Sequence, residues 1–131
     1  MRIFKSRIVR QTLSAEELAQ LVSDFSRYKS TGIPADNFGR DVPYDHPNTL
    51  LILKVEDVYH LHSADNEKPW SLMRTQYSKT SDIHLVYCQS ALNSDCYLLM
   101  AVLQPNAHEQ ANDNSIMHNL GLMAEQFRQQ Y

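Results

Sequence analysis

Three apolar segments between residues 58 and 105 constrain the fold of this chain more than any other feature. They span Val58–Ala64, Ile83–Cys88 and Cys96–Pro105. Each segment is rich in β-branched, aromatic and aliphatic residues and is bounded by Asn, Asp, Ser or Pro, as is typical of strands. A short turn separates the second and third segments. The sequence therefore predicts at least three strands of one sheet.

One helix is predicted before these strands in the sequence and another after them. Ser14 and Glu17 match a capping box, apolar residues then recur at helical spacing, and Gly32 offers a C-terminal stop. A final helix is capped by one of the residues 112–114. Its apolar residues recur every three or four positions, at Ile116, Leu120, Met123, Phe127 and Tyr131. We expect this face to pack on the sheet.

The remaining segments are less regular. Weak alternation over Arg2–Val9 predicts a first strand, and the apolar run Leu50–Lys54 predicts the start of another. Gly32–Thr49 has no periodicity and is dense in Gly, Pro, Asp and Asn, so we interpret it as a loop. A loop of this length in a compact domain is often functional. Arg40 and Tyr44–His46 lie within it, although a turn at Arg40–Asp41 with solvated side chains is the interpretation that the sequence alone favours.

Composition limits the class of protein. At 131 residues with 43% hydrophobic content, we expect one domain, residues 1–131. No run of 18 apolar residues exists, and Lys5, Arg7 and Arg10 interrupt any N-terminal signal core, so a cytoplasmic protein without a membrane span is expected. The net charge of −3 counts against extensive binding of free RNA or DNA.

The two cysteines lie on the predicted hairpin. If its turn is centred near Leu92, Cys88 and Cys96 face each other across the two strands. A cytosolic protein keeps its thiols reduced, which favours two packed thiols over a disulfide. Their spacing does not match a Cys-x-x-Cys redox or zinc motif.

Histidines on the predicted strands are the candidate functional residues. His60 and His62 are two apart, so both point to the same face of a strand, and His84 can join them from a neighbouring strand. Three interpretations stay open: metal ligands, a general acid and base, or ordinary residues of a half-solvated sheet. His108 follows the last strand, where a loop begins. The chain has three glycines and no Gly-rich phosphate loop, which argues against the usual nucleotide-binding enzymes.

An ordered set of fragments resembles the YafO family of bacterial toxins. The fragments run from the first half of the chain to the last helix: Phe38–Asp41, Tyr44-Asp45, His60-x-His62, His84–Gln89, Pro105-x-Ala107-His108 and Asp113–Phe127. Each fragment alone is weak, whereas their common order is fairly specific. The resemblance is therefore to the whole chain and not to one motif.

This resemblance implies the toxin half of a type II toxin–antitoxin pair. Members are ribosome-dependent mRNA interferases, that is, endoribonucleases that need no metal or other cofactor. Expected partners are mRNA, the ribosome through its large subunit, and a cognate antitoxin of the YafN kind. The resemblance also implies a RelE-like α+β fold, with a small antiparallel sheet, a helix after the first strand and a C-terminal helix.

The resemblance also implies where the site lies. RelE-like toxins hold RNA on an exposed sheet face, with functional residues on three successive strands. The residues expected to be catalytic are His60, His62, His84, His108 and Arg74. The residues expected to bind RNA are Arg40, Lys54, Lys79 and Gln104. One of the first two histidines is the expected base, His84 or His108 its proton-transfer partner, and Arg74 or Arg40 the phosphate ligand.

Two other functions stay open at this point. One is a metal-dependent hydrolase that uses His60, His62 and His84 as ligands. The other is a non-enzymatic module that only binds the ribosome or a partner protein.

Overall fold

Five strands form one mixed sheet in the computed structural model, which describes residues 1–131. They are β1 Arg2–Lys5, β2 Phe38–Pro43, β3 Tyr59–Ser63, β4 His84–Gln89 and β5 Cys96–Leu103. The order is β1-β5-β4-β3-β2, with β1 parallel to β5 and each other pair antiparallel. The α+β class and the three strands predicted from the apolar segments are confirmed. The sheet is mixed and not wholly antiparallel, because β1 lies beside the last strand and runs in the same direction.

Five helices and one 3-10 turn complete the chain. They are α1 Arg7–Thr12, α2 Ala15–Thr31, α3 Leu51–Val55, the 3-10 turn Gln76–Ser78, α4 Ala107–Ala111 and α5 Asn114–Gln130. The capping box of α2 is formed, and Gly32 ends that helix at φ 76°. Asp113 caps α5 by accepting from the N–H groups of Ser115 and Ile116. Both long helices thus begin where the sequence predicts. None of the helices combines the length and the apolar character needed to cross a membrane.

The predicted strand Arg2–Val9 is wrong beyond Lys5, because Ser6 starts a helix there. The Ser6 hydroxyl accepts from the Val9 N–H at 3.1 Å and donates to the Met100 carbonyl at 2.6 Å. The Ser6 side chain therefore both caps α1 and joins it to β5. A helix cap of this kind stabilises the helix more than the weak apolar alternation of residues 2–9 would stabilise a strand.

The predictions for residues 32–54 need two corrections. The loop predicted over Gly32–Thr49 contains β2, an edge strand that pairs with β3 through its main chain and needs no apolar alternation. The strand predicted at Leu50–Lys54 is instead the helix α3. Ile52 of α3 packs directly against Gly121 of α5, where an added Cβ would lie 2.4 Å from the Ile52 side chain. Packing on α5 therefore decides the helical conformation.

Helices cover both faces of the sheet. On one face, α2 buries Phe25 against Leu61 and Leu99. On the other, α3 and α5 bury Leu53 and Met117, together with Val86, Cys88, Met100 and Phe127. Each fully buried side chain of this size contributes about 1.5–3 kcal/mol to folding. The second face carries the even-numbered residues of β4, and so also His84.

The two cysteines are free thiols, buried in the core on the α5 side of the sheet. Burial raises the pKa of the Cys88 thiol to about 12. Cys88 pairs with Leu98, and Gln89 pairs with Tyr97. The prediction that Cys88 and Cys96 face each other is therefore wrong, because the turn is centred one residue later than expected.

Candidate active site

Four histidine rings meet at one end of the sheet, on the same face as α3 and α5. His62 on β3 pairs in register with His84 on β4, and their ring centroids are 4.3 Å apart. The His60 ring lies 4.9 Å from His84, and the His108 ring lies 5.1 Å from His84 on the other side. Strand alternation accounts for His60 and His62, since residues two apart share a face. His108 reaches the cluster from the start of α4.

Burial keeps three of these rings neutral. His62 and His84 are 3% and 2% exposed, and His60 is half-buried. Burial, reinforced for His60 and His84 by neighbouring imidazoles, lowers the pKa of His60 and His62 to about 4 and that of His84 to about 3. All three are therefore unprotonated at pH 7, able to accept a proton and not to donate one as imidazolium.

Ser81 contacts two of the rings through its backbone. His62 Nδ1 lies 2.9 Å from the Ser81 nitrogen and 3.1 Å from the Ser81 carbonyl oxygen, so this nitrogen bonds to the Ser81 backbone in either neutral tautomer. His84 Nε2 donates to the Ser81 carbonyl at 3.2 Å. His84 Nδ1 then holds a free lone pair, and it has no hydrogen-bond partner in the protein although it is buried. A single residue between β3 and β4 thus orients both imidazoles.

His60 is packed differently. The ring of Tyr44 stacks on it at 4.2 Å and 17°. His60 Nδ1 and the Tyr44 hydroxyl are both buried and have no partner in the protein. An unpartnered buried polar group costs about 1–3 kcal/mol, so these atoms are candidates to contact a ligand.

His108 forms a pair with Asp82. One carboxylate oxygen of Asp82 accepts from both the backbone N–H and the ring Nδ1 of His108, each at 2.9 Å. These two hydrogen bonds hold the pKa of the Asp82 carboxyl below its usual range. The carboxylate orients the exposed imidazole and leaves Nε2 free for proton transfer, as an aspartate does for histidine in hydrolytic triads.

A cleft of about 960 Å³ opens over these residues. We call it the histidine cleft; its lining includes Arg40, Tyr44, His46, His60, His62, Tyr77, His84 and His108. Arg40 is its only Lys or Arg, and its charge contributes to the lowered pKa of His60 and His62. The guanidinium lies over the Tyr77 ring, with Cζ 4.0 Å from the ring centroid. The cleft therefore combines proton acceptors, one oriented surface imidazole and one fixed cation.

The structure brings together five of the nine residues expected at the site: His60, His62, His84, His108 and Arg40. The other four do not line the cleft. Arg74 and Lys54 are exposed elsewhere, and Lys79 lies beside the Trp70 ring at 5.9 Å. Gln104 lines a separate cavity of about 550 Å³ on the α2 side of the sheet.

Sequence reasoning missed Asp82 and Tyr77. Asp82 precedes β4 without any motif, and its partner His108 is 26 residues away, joined to it only by the β4–β5 hairpin. Tyr77 sits in a polar segment with no periodicity. Tyr44 had a signal, because it belongs to one of the fragments that resemble the YafO family.

No group of three or more His, Cys, Asp or Glu side chains has an arrangement that could hold a metal ion. The proposed ligand set His60, His62 and His84 shares one cleft but does not converge. One nitrogen of His62 and one of His84 are also engaged by Ser81. The geometry therefore does not support the metal-dependent hydrolase.

Two comparisons with known proteins give matches. Residues 26–129 match the family model described as toxin YafO, type II toxin–antitoxin system. The chain is 45% identical over 132 residues to the mRNA interferase toxin YafO of Escherichia coli strain K12, and the match covers both chains completely. No solved structure matches the chain.

Proposed function

Because this chain belongs to the YafO family of type II toxins, we infer that it is an mRNA interferase, an endoribonuclease that cleaves mRNA. We propose that it acts during translation, docked on the large ribosomal subunit, and that a cognate antitoxin of the YafN kind neutralises it. In this proposal residues 1–131 form one RelE-like domain that acts in the cytoplasm. The full-length identity of 45% to an mRNA interferase toxin supports the activity.

The histidine cleft holds the groups that metal-independent RNA cleavage needs. A base must take the proton of the 2′-hydroxyl, an acid must protonate the leaving 5′-oxygen, and a cation must stabilise charge on the phosphate. The observation that carries the assignment is the Asp82–His108 pair at the rim of a cleft whose other three imidazoles are neutral.

We assign the acid to His108 and the base to His60. His108 is exposed, and the hydrogen bond from its Nδ1 to Asp82 orients the ring, so Nε2 is placed to donate a proton to the leaving oxygen. His60 is unprotonated at pH 7 and is less buried than His62 and His84, so its ring is the one proposed to accept the 2′-hydroxyl proton. The 2′-oxygen then attacks phosphorus as the bond to the 5′-oxygen breaks, which leaves a 2′,3′-cyclic phosphate and a 5′-hydroxyl.

Arg40 is the proposed phosphate ligand. It is the one fixed cation of the cleft, and its orientation is set by the hydrogen bond from Nε to the Tyr77 carbonyl at 2.7 Å. His62 and His84 are positioning residues, which shape the floor beneath His60 and His108. Arg74, Lys54, Lys79 and Gln104 lie outside the cleft, and their proposed role is limited to contacts with RNA or ribosome beyond it.

Electrostatics supports dependence on the ribosome. The chain has a net charge of −3, and a single Arg serves the cleft. Since phosphate neutralisation supplies most of the affinity for RNA, the protein alone binds RNA weakly. The ribosome presents the mRNA to the cleft at high effective concentration.

The test compares translated and naked RNA. Purified protein is added to a reconstituted translation system and to the same mRNA without ribosomes, and cut sites are mapped by primer extension. We expect rapid cleavage only of the translated mRNA, with 5′-hydroxyl ends. Equal rates on naked RNA would contradict ribosome dependence, and intact mRNA in both reactions would contradict the endoribonuclease. Co-expression of the neighbouring reading frame should relieve growth arrest if it encodes the antitoxin.

A further inference from the structure

Tyr77 is an exposed aromatic ring held in a fixed position at the histidine cleft. It is 66% exposed, yet it lines the cleft together with the histidines. Arg40 lies over one side of the ring, with Cζ 4.0 Å from the centroid, and its Nε donates to the carbonyl of the same residue at 2.7 Å. The Arg40 guanidinium thus contacts both the ring and the backbone carbonyl of Tyr77.

The segment that bears Tyr77 is anchored on β2. The side chain of the preceding Gln76 donates to the Tyr28 hydroxyl at 2.9 Å and to the Gly39 carbonyl at 3.0 Å. The Arg40 N–H donates to the Lys79 carbonyl at 2.9 Å. The segment therefore has hydrogen bonds to the sheet on both sides of Tyr77.

The contact with β2 is also close. A Cβ at Gly39 would lie 2.2 Å from the Lys79 carbonyl oxygen and 2.7 Å from the Trp70 ring. Only glycine allows Lys79 and Trp70, on either side of the 3-10 turn, to approach the strand this closely. The backbone of Tyr77 is thus held in place, while most of its ring is exposed to solvent. The side of the ring that Arg40 does not cover is available to a flat ligand.

We propose that Tyr77 is a stacking platform for one unpaired nucleobase of the mRNA, next to the bond that is cut. The proposal rests on the function inferred above and adds a substrate-binding residue to it. Single-stranded RNA is recognised by stacking of splayed bases on aromatic rings and guanidinium planes, and the Tyr77–Arg40 pair offers both surfaces. Because Arg40 and the imidazoles line the same cleft as Tyr77, a base stacked on this ring brings the adjacent ribose and phosphate towards them and sets the register of the RNA.

The test uses full-length protein in the reconstituted translation system. Tyr77→Ala is compared with wild type and with Met73→Ala, a matched control because Met73 is 92% exposed in the same segment and does not line the cleft. Loss of one stacked base is expected to lower kcat/KM for mRNA cleavage by about 5- to 150-fold and to redistribute the cut sites. Tyr77→Phe, which keeps the ring, should recover most of the lost rate, and Met73→Ala should cleave as wild type does.

Two outcomes separate this proposal from the inferred function. If wild type cleaves mRNA and Tyr77→Ala cleaves the same sites within about twofold of its rate, the platform is refuted and the ribonuclease stands. If wild type cleaves no mRNA, both are refuted. Circular dichroism checks the fold of each variant, and Tyr77→Leu, which retains bulk over Arg40 without an aromatic face, replaces Tyr77→Ala if the latter unfolds. A Tyr77→Leu protein with the full wild-type rate and cut sites would also overturn the platform.

Discussion

Acidification should destabilise this protein through its buried histidines. The pKa of an unfolded imidazole is near 6.5, whereas in the fold His60 and His62 titrate near 4 and His84 near 3. Between these values the unfolded chain binds more protons than the folded chain, so the free energy of unfolding falls as pH falls from 6.5 towards 4. Above pH 6.5 both states are neutral and the contribution disappears.

The size of the effect follows from the same values. At pH 5 an unfolded ring is protonated, and keeping it neutral in the fold costs about 2 kcal/mol per ring. Solvent in the cleft screens the site, and halving the cost gives about 1 kcal/mol per ring, or about 3 kcal/mol for the three rings. For a chain of 131 residues this corresponds to a fall in Tm of about 10 °C between pH 7 and pH 5.

The assay is urea unfolding at both pH values, with a matched pair of variants. His84→Leu removes one titrating ring, and His118→Leu makes the same change at an exposed position of α5. We expect His84→Leu to reduce the pH-dependent loss by about 1 kcal/mol and His118→Leu to leave it unchanged. The reasoning is refuted if wild type is as stable at pH 5 as at pH 7, or if both variants show the wild-type loss.

Three further predictions concern the site and its support. Asp82→Asn should lower the cleavage rate by about 10- to 100-fold through loss of the charged hydrogen bond that orients His108, and an unchanged rate and pH profile would show that His108 acts without it. Treating the purified protein with a chelator, then returning it to the translation mixture, should leave cleavage intact; loss of activity that zinc restores would revive the metal-dependent hydrolase. Gly39→Ala should lower the free energy of unfolding by about 1–3 kcal/mol, because the new Cβ meets the Lys79 carbonyl, and a stability equal to that of wild type in chemical denaturation would contradict that contact.

Local signals predicted the central strands and both long helices because each signal acts within a few residues. The Ser14–Glu17 capping box and the Asp113 cap satisfy their own helix ends. The strand pattern of residues 58–105 likewise placed His60 and His62 on one face. These features need no knowledge of distant partners.

The remaining features depend on contacts between distant parts of the chain. Ser6 ends β1 because its hydroxyl caps α1 and donates to the Met100 carbonyl. β2 forms because its main chain pairs with the main chain of β3. The Asp82–His108 pair exists only once the β4–β5 hairpin brings its ends together. The sequence indicated which imidazoles share a sheet face. It did not indicate that Asp82 orients the exposed imidazole of His108.

The most direct test of the proposed site is the rate at which His108→Ala cleaves ribosome-bound mRNA, compared with His118→Ala. General acid catalysis contributes about 10²- to 10⁴-fold, so His108→Ala should lose that much activity while it stays folded and still associates with the ribosome. His118→Ala should cleave at the wild-type rate, since this histidine lies outside the cleft. A folded His108→Ala protein that cleaves mRNA as fast as wild type would contradict the assignment of the histidine cleft as the active site.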